Sequence, residues 1–287
     1  MQSQTADVLK LLELEQLEVN LFRGESRDIG SAQVFGGQVL GQALTAASRT
    51  VDGRIVHSLH AYFLRRGDFN APIVYEVDRS RDGHSFSNRR VIAIQHGEQI
   101  FNMTASFQVV EEGLEHQFDM PSVPPPEQLP DMLEMLRPIV DRLPERVKRF
   151  VEKPRPFEFR MVQPLPNLIE PSRHPPARQV WFRLPDKIPD DESLHRRLLA
   201  YVSDYYLLDT AVLPHGMSFL SAKAIMASID HAMWFHRPLR VDDWLLYALD
   251  SPSSSGARGF GRGSIFSRDG RLVASTAQEG LIRVVGA

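Results

Sequence analysis

Hydrophobic spacing along the chain changes period twice, in the same order each time. The run FGGQVLGQALTAAS at 35–48 places its apolar residues at helical intervals and predicts a helix. Strand-like runs follow at about 55–64, 72–79, 86–95 and 99–110, the last two joined at HGEQ. The order then returns. A second helix is predicted over about 191–209, opened by Pro189, Asp190 and Asp191, and strands over about 219–236, 243–250, 257–267 and 271–284, with Arg268, Asp269 and Gly270 turning the last hairpin. Ahead of both sets, Val8, Leu11 and Leu12 mark an amphipathic N-terminal helix.

The repetition extends to residue identity. At an offset of 172 positions Tyr62 falls on Trp234, Phe63 on Phe235, Arg65 on Arg237, Tyr75 on Tyr247, Val77 on Leu249, Asp78 on Asp250, Thr104 on Thr276 and Ala105 on Ala277. A constant offset over so many positions, too long for a solenoid period, argues for two copies of one fold. A long helix followed by an antiparallel meander is the hotdog pattern, in which a sheet wraps a central helix. One copy alone would leave an open sheet edge and a partly bare helix, so such units pair. The expected architecture is therefore α+β, a double hotdog of two tandem repeats whose antiparallel sheets wrap long central helices. The N-terminal repeat is placed at 1–118, a Pro-rich linker at 119–156 and the C-terminal repeat at 157–287. Between Pro121 and Pro156 stand nine of the chain's twenty prolines, and MLEMLRPIVDRL within that segment reads as helix interrupted at Pro138.

Charge and composition exclude several kinds of chemistry. Lys and Arg total 33 against 36 Asp and Glu, which leaves no basic field to hold a nucleic-acid backbone. The absence of cysteine removes disulfides, thiolate nucleophiles and CxxC metal sites together. The N-terminus lacks the basic start and apolar core of a signal peptide, and no run of about 18 apolar residues is present to span a bilayer. The C-terminal Val285, Gly286 and Ala287 do not form a peroxisomal SKL-type address. The expected location is cytoplasmic.

Differences between the two copies are more informative than their likeness. Asp204 lies in LLAYVSDYYLLD, where Ala200, Tyr201, Leu207 and Leu208 stand three or four residues away, so on a helix it is an acid on an apolar face. The helix of the first copy has no carboxylate from Phe35 to Val51. Gln278 shares a strand face with Ala274 and Thr276, and the repeat puts Ser106 at its place. Ser228 has Val56 as its counterpart. A helix acid, a strand hydroxyl and a strand amide are thus present in the second copy and missing or altered in the first, as in a duplicated enzyme that keeps one working site. Each alone has a plainer role open to it: a solvated acid, an inert strand serine, a glutamine capping a backbone group.

Other motifs carry less. His57 and His60, with His231 and His236 in the second copy, make a poor zinc site without cysteine or a clustered carboxylate. Gly259, Gly261 and Gly263 in GARGFGRGS sit inside a strand run with no helix after them, which suits close crossing of chain segments better than a phosphate loop. No GxSxG nucleophile elbow occurs.

The segments VFGGQVLGQAL, HSLHAYFLRRGD, RDGHSFSNRRV, DHAMWFHRP, SSSGARGF and STAQEG together resemble the acyl-CoA thioesterase II (TesB-type) family, over nearly the whole chain from LFRG at 21 to about Arg283. The resemblance implies a double hotdog that hydrolyses medium- to long-chain fatty acyl-CoA to free acid and coenzyme A, by water activated on an Asp and without a covalent intermediate. Its catalytic trio falls here on Asp204, Ser228 and Gln278, with serine where bacterial members often have threonine. No cofactor or metal is implied, and a homo-oligomer, tetramer or dimer, is. Two other readings stay open: a hotdog enoyl-CoA hydratase using His57 or His60, and an acyl-CoA-binding sensor without turnover.

Overall fold

The computed structural model describes residues 3–31, 33–143, 145–163, 172–218 and 224–284. Helix α1 (Gln4–Leu12) begins at Ser3, whose hydroxyl accepts the Ala6 N–H at 3.1 Å, an N-cap that satisfies one free donor of the first turn. A short hairpin follows, β1 (Glu15–Glu18) and β2 (Leu21–Gly24), then α2 (Gly36–Ser48). The first meander is β3 (Ile55–Phe63), β4 (Ile73–Asp82), β5 (Phe86–Gln95) and β6 (Glu98–Gln108). His96 and Gly97, both at positive φ (52° and 77°), make the two-residue turn between the last two strands.

The linker carries α3 (Met132–Leu136), a 3-10 segment through Pro138 (Arg137–Arg142) and α4 (Glu145–Glu152). Proline removes an intrahelical donor, which is why the α-helix tightens and stops there. The second copy runs β7 (Glu158–Met161), β8 (Ala177–Arg183), α5 (Glu192–Val202), a 3-10 segment (Leu208–His215), β9 (Ala224–Ser228), β10 (Asp230–Phe235), β11 (Leu245–Ser255), β12 (Arg258–Ser267) and β13 (Leu272–Val284). Asp191 caps α5, accepting the Ser193 N–H at 2.9 Å.

All pairings are antiparallel and form one sheet in the order β1-β2-β4-β5-β6-β3-β10-β13-β12-β11-β8-β7, with β9 also on β13. The seam between the copies is β3 against β10, where Asp230 faces Tyr62 and Trp234 faces Ser58. The repeat extends to the irregularities of the ladder. Register slips at Asp78/Arg81 and Ala93/Ile94 recur at Asp250/Ser253 and Ile265/Phe266. The slip around His57 in β3 matches the break at Ile229 between β9 and β10. Bulges bend strands, so equal bulges curl the two halves equally around their helices.

Inside the curled sheet α2 and α5 lie side by side and antiparallel, since Gly37 abuts the end of α5 at Tyr201 while Gly41 meets Tyr201 and Arg197. One apolar core runs through both copies and includes Leu40 and Leu44 of α2, Leu198 and Val202 of α5, and Met132, Leu136 and Val151 of the linker. A second cluster, Trp181, Trp244, Leu246, Phe266 and Leu272, lies under linker residues Met120, Val123 and Leu129. The linker is thus packed on the molecule. Trp181 Nε1 donates to the Pro124 carbonyl at 3.0 Å, and Arg268 pairs with Glu127 through two bonds of 2.7 and 3.0 Å.

Two expectations need correction. The second helix does not continue to 209: it ends at Val202, because Tyr206 takes a left-handed conformation (φ 65°) and the chain reverses into the 3-10 segment. The run expected as one strand over 219–236 is two, broken at Ile229, and its residues 219–223 lie outside the described residues, as do 285–287. Hairpin β1-β2 and strands β7 and β8, none of them foreseen, supply the outer strands at both ends of the sheet.

Candidate active site

Asp204 stands two residues beyond α5, in the turn that the early helix end creates. Its carboxylate points at the start of α2, where Oδ2 accepts the Gly37 N–H at 2.9 Å. First-turn N–H groups have no acceptor inside their own helix, so a helix start is a favourable place for a carboxylate. Space for this approach comes from two glycines. A Cβ on Gly36 would lie 2.7 Å from Asp204 Oδ2, and one on Gly37 would lie 2.1 Å from the Tyr201 carbonyl oxygen. Neither glycine has positive φ, so it is the missing side chain, not backbone freedom, that is used.

The other oxygen of Asp204 accepts from Gln278 Nε2 at 2.7 Å, and the Ser228 hydroxyl is a third hydrogen-bond partner of the carboxylate. The three residues singled out by the asymmetry of the copies are therefore brought together, although Asp204 reaches the site from a turn and not from a helical face. Burial raises the pKa of Asp204 above the usual aspartate value, and the bonds from Gln278, Gly37 and Ser228 offset only part of that rise.

Gln278 is fully buried in β13, and its Oε1 has no hydrogen-bond partner among the described residues. Its amide nitrogen also donates to His231 Nδ1 at 3.2 Å, and His231 Nε2 lies 3.0 Å from Ser203 Oγ. In a regular strand residues 228 and 231 would face opposite sides. The break at Ile229 turns both Ser228 and His231 inward, and Asp230 Oδ1 accepts the Glu279 N–H at 2.6 Å across the break. Opposite Gln278 on β12 is Gly261, where a Cβ would come within 2.6 Å of the Leu207 carbonyl oxygen. The glycines of GARGFGRGS thus let the segment after Asp204 lie directly on the sheet.

Beside the carboxylate opens a cavity of roughly 220 Å³ lined by Val34, Gly36, Val39, Phe63, Phe101 and Ser228, with Arg65 and Arg66 among its further lining residues. An apolar cleft with a few converging polar groups is the usual form of a small-molecule site.

The corresponding place in the first copy is built differently. Where β12 has Gly261, β5 has Arg89, a buried side chain that donates to Thr50 Oγ1 at 2.8 Å, Thr50 O at 3.0 Å, Arg81 O at 3.0 Å and Asp82 Oδ1 at 2.7 Å. His57 bonds Ser106, the counterpart of Gln278, at 2.8 Å, while His60 is exposed with its ring against Trp234. Neither histidine is hydrogen-bonded to a carboxylate among the described residues, and no group of three His, Cys, Asp or Glu there could hold a metal ion. No helix among them is long and apolar enough to cross a membrane.

Sequence reasoning missed Gly36, Gly37, Ser203 and His231 as parts of the site. For the glycines a signal existed: a helix opening on two glycines, without Ser, Thr, Asp or Asn before them, lacks an ordinary cap. For His231 none did, since its inward direction depends on the strand break.

Residues 157–281 match the family profile described as acyl-CoA thioesterase, and residues 23–108 match the acyl-CoA thioesterase N-terminal domain. The chain is 45% identical over 278 residues to acyl-CoA thioesterase 2 of Haemophilus influenzae, covering 96% of this chain and 97% of that one. A solved structure, the acyl-CoA thioesterase II TesB2 from Mycobacterium marinum, is 44% identical with a TM-score of 0.79 and 98% of both chains covered. A protein with a hot dog fold from Alicyclobacillus acidocaldarius, 19% identical, reaches a TM-score of 0.76 over 96% of this chain and 97% of that one, a likeness of fold alone.

Proposed function

The chain belongs to the acyl-CoA thioesterase II family, and from that premise we propose that it hydrolyses medium- to long-chain fatty acyl-CoA to free fatty acid and coenzyme A, with Asp204, Ser228 and Gln278 as its catalytic residues. The observation that carries this reading is the half-buried Asp204 carboxylate, held by Gln278 and Gly37 beside the cavity that Ser228 and Gly36 line. A carboxylate offers about four acceptor positions. Three are taken by Gln278, Gly37 and Ser228, which leaves one for a water molecule.

Asp204 takes a proton from that water as its oxygen attacks the thioester carbonyl carbon. The Ser228 oxygen, whose own hydrogen goes to the carboxylate, accepts the second hydrogen of the water and orients it, while Gln278 holds the carboxylate in place. The N–H of Gly36, at the first position of α2, meets the developing oxyanion. Collapse breaks the carbon–sulfur bond, and the proton held by Asp204 passes to the departing thiolate. Water becomes the acid hydroxyl and coenzyme A leaves as the free thiol. The raised pKa of Asp204 suits a base better than an ordinary aspartate would.

The apolar lining from Val34, Val39, Phe63 and Phe101 supports a fatty acyl substrate. The same reading divides the chain into repeats at 1–118 and 157–287 around the linker, and places it in the cytoplasm as a homo-oligomer in fatty-acid metabolism. Support for assembly comes from Tyr62 and Trp234, exposed aromatics in the strands of the seam.

The test is release of free thiol from acyl-CoAs of increasing chain length, with wild type beside Asp204→Asn. The proposal expects hydrolysis that peaks at medium or long chains and is lost in the variant. Binding of acyl-CoA without thiol release would favour a sensor, and hydration of an enoyl-CoA would favour a hydratase.

A further inference from the structure

We infer that His231 is a positioning residue, locking the amide of Gln278 in the one orientation that serves Asp204, with Ser203 setting the tautomer of its imidazole. The inference rests on the thioesterase reading. It follows from counting hydrogens. Ser203 Oγ donates its single hydrogen to the Ala200 carbonyl at 3.0 Å, so toward His231 Nε2, also at 3.0 Å, it can only accept. Nε2 therefore carries the proton of a neutral imidazole, and Nδ1 is a bare acceptor.

Gln278 Nε2 has two hydrogens. One goes to His231 Nδ1 at 3.2 Å and the other to Asp204 Oδ1 at 2.7 Å. A flipped amide would set Oε1 against an ionised carboxylate and leave Nδ1 without a donor. Among the described residues the side chain of Gln278 has no other hydrogen-bond partner, so carboxylate and imidazole together fix its orientation, and the imidazole alone still fixes it once Asp204 has taken up a proton. Burial keeps His231 neutral, pushing its pKa down to about 3, and a neutral ring is what the direction of these bonds requires.

Around Asp204 stand Gly37 of α2, Ser228 of β9, Gln278 of β13 and, beyond that amide, His231 of β10. The titratable groups within its electrostatic reach are Tyr205 on its own turn and Tyr247 of β11, both pushed up by burial and neutral. No charged side chain counts among the causes of the Asp204 shift, so a change at His231 is read through the amide alone.

The experiment is the pH dependence of thiol release from an acyl-CoA by full-length wild type, His231→Phe, His231→Asn and Ser203→Ala. In His231→Phe kcat should fall on the order of 10- to 100-fold with KM nearly unchanged, the loss expected for a misplaced catalytic group. The acid limb of kcat/KM should move up by roughly one pH unit, because a freed amide can turn Oε1 toward Asp204 and favour the protonated carboxyl. Ser203→Ala should shift the limb the same way by less. His231→Asn, whose carboxamide oxygen can stand where Nδ1 stood, should restore part of the rate. A role in packing alone would lower thermal stability and leave the limb where it is. Wild-type kcat and an unmoved limb in folded Ser203→Ala and His231→Phe would overturn the inference, and if His231→Phe does not fold, Ser203→Ala and His231→Asn decide it. If wild type itself released no thiol, the enzymatic reading would fail and this one with it.

Discussion

Replacing Gly37 with alanine should lower both stability and turnover, whereas the same change at Gly41, one turn further along α2, should do neither. Both glycines face α5. A Cβ on Gly37 would stand 2.1 Å from the Tyr201 carbonyl oxygen and 2.5 Å from Phe35 Cε1. The first of these is backbone of a packed helix and cannot swing aside. To restore ordinary contact the two helices must part by about 1 Å at this end. That movement stretches the 2.9 Å bond from the Gly37 N–H to Asp204 beyond hydrogen-bond range.

Overpacking costs about 1–3 kcal/mol and loss of a bond to an ionised group about 1.5–3 kcal/mol, against a gain of up to about 1 kcal/mol from alanine in a helix. The net loss is about 1.5–6 kcal/mol, too large to miss in equilibrium urea unfolding. Around Gly41 the nearest atoms are Leu12 Cδ2 at 3.1 Å, Tyr201 Cβ at 3.3 Å and the Arg197 carbonyl oxygen at 3.4 Å. Small adjustments suffice there, and helix propensity offsets them to within about 1 kcal/mol. Thiol release gives the second reading. Gly37→Ala should lose on the order of 100-fold in kcat, with the acid limb raised, since Asp204 loses a bond that holds its pKa down. Equal unfolding midpoints and equal rates for the two variants would refute the reasoning.

Two further outcomes are expected. Because the folded chain holds the Asp204 proton more tightly than the unfolded chain does, this group's contribution to stability declines as pH rises from the usual aspartate range through the folded-state pKa. The unfolding free energy of wild type minus that of Asp204→Asn should therefore fall across that window, and a value that rises with pH would contradict the burial of the carboxylate. Arg89→Met should destabilise by about 1–3 kcal/mol, the scale for leaving the buried oxygens of Thr50 without a donor while the half-exposed Asp82 carboxylate stays solvated, and a urea midpoint at the wild-type value would show that the latch on Thr50 and Asp82 is not needed.

The regular parts of the fold could be read directly from the sequence. Helix α2 and strands β3 to β6 lie within two or three residues of their expected positions, because apolar period there is uninterrupted and the turns carry their own chemistry at His96 and Gly97. The linker helix stops where Pro138 said it would. What escaped depends on tertiary context. Hairpin β1-β2 is mostly exposed at β1 and is held by pairing at the sheet edge, so its hydrophobic pattern is weak. The end of α5 was missed because VSDYYLLD keeps a helical period, yet the left-handed Tyr206 is held by packing of its ring against Phe159 and under Arg178. In the candidate site, difference between copies singled out Asp204, Ser228 and Gln278, which the fold brings together, but the backbone of Gly36 and Gly37 and the side chains of Ser203 and His231 left no such trace.

The pocket draws its acid, hydroxyl and amide from one repeat and its helix start from the other, so the smallest unit that can hold the site is the fused pair. In a dimer of identical subunits every substitution would appear twice, and an arginine at the place of Gly261 would close both sites at once. Joining the repeats in one polypeptide removes that symmetry. One copy could exchange its glycine for Arg89 and become a brace, while the other kept the glycine on which the Leu207 backbone rests. Active-site titration should accordingly count one equivalent per polypeptide, even though the architecture offers two places where a site could have been.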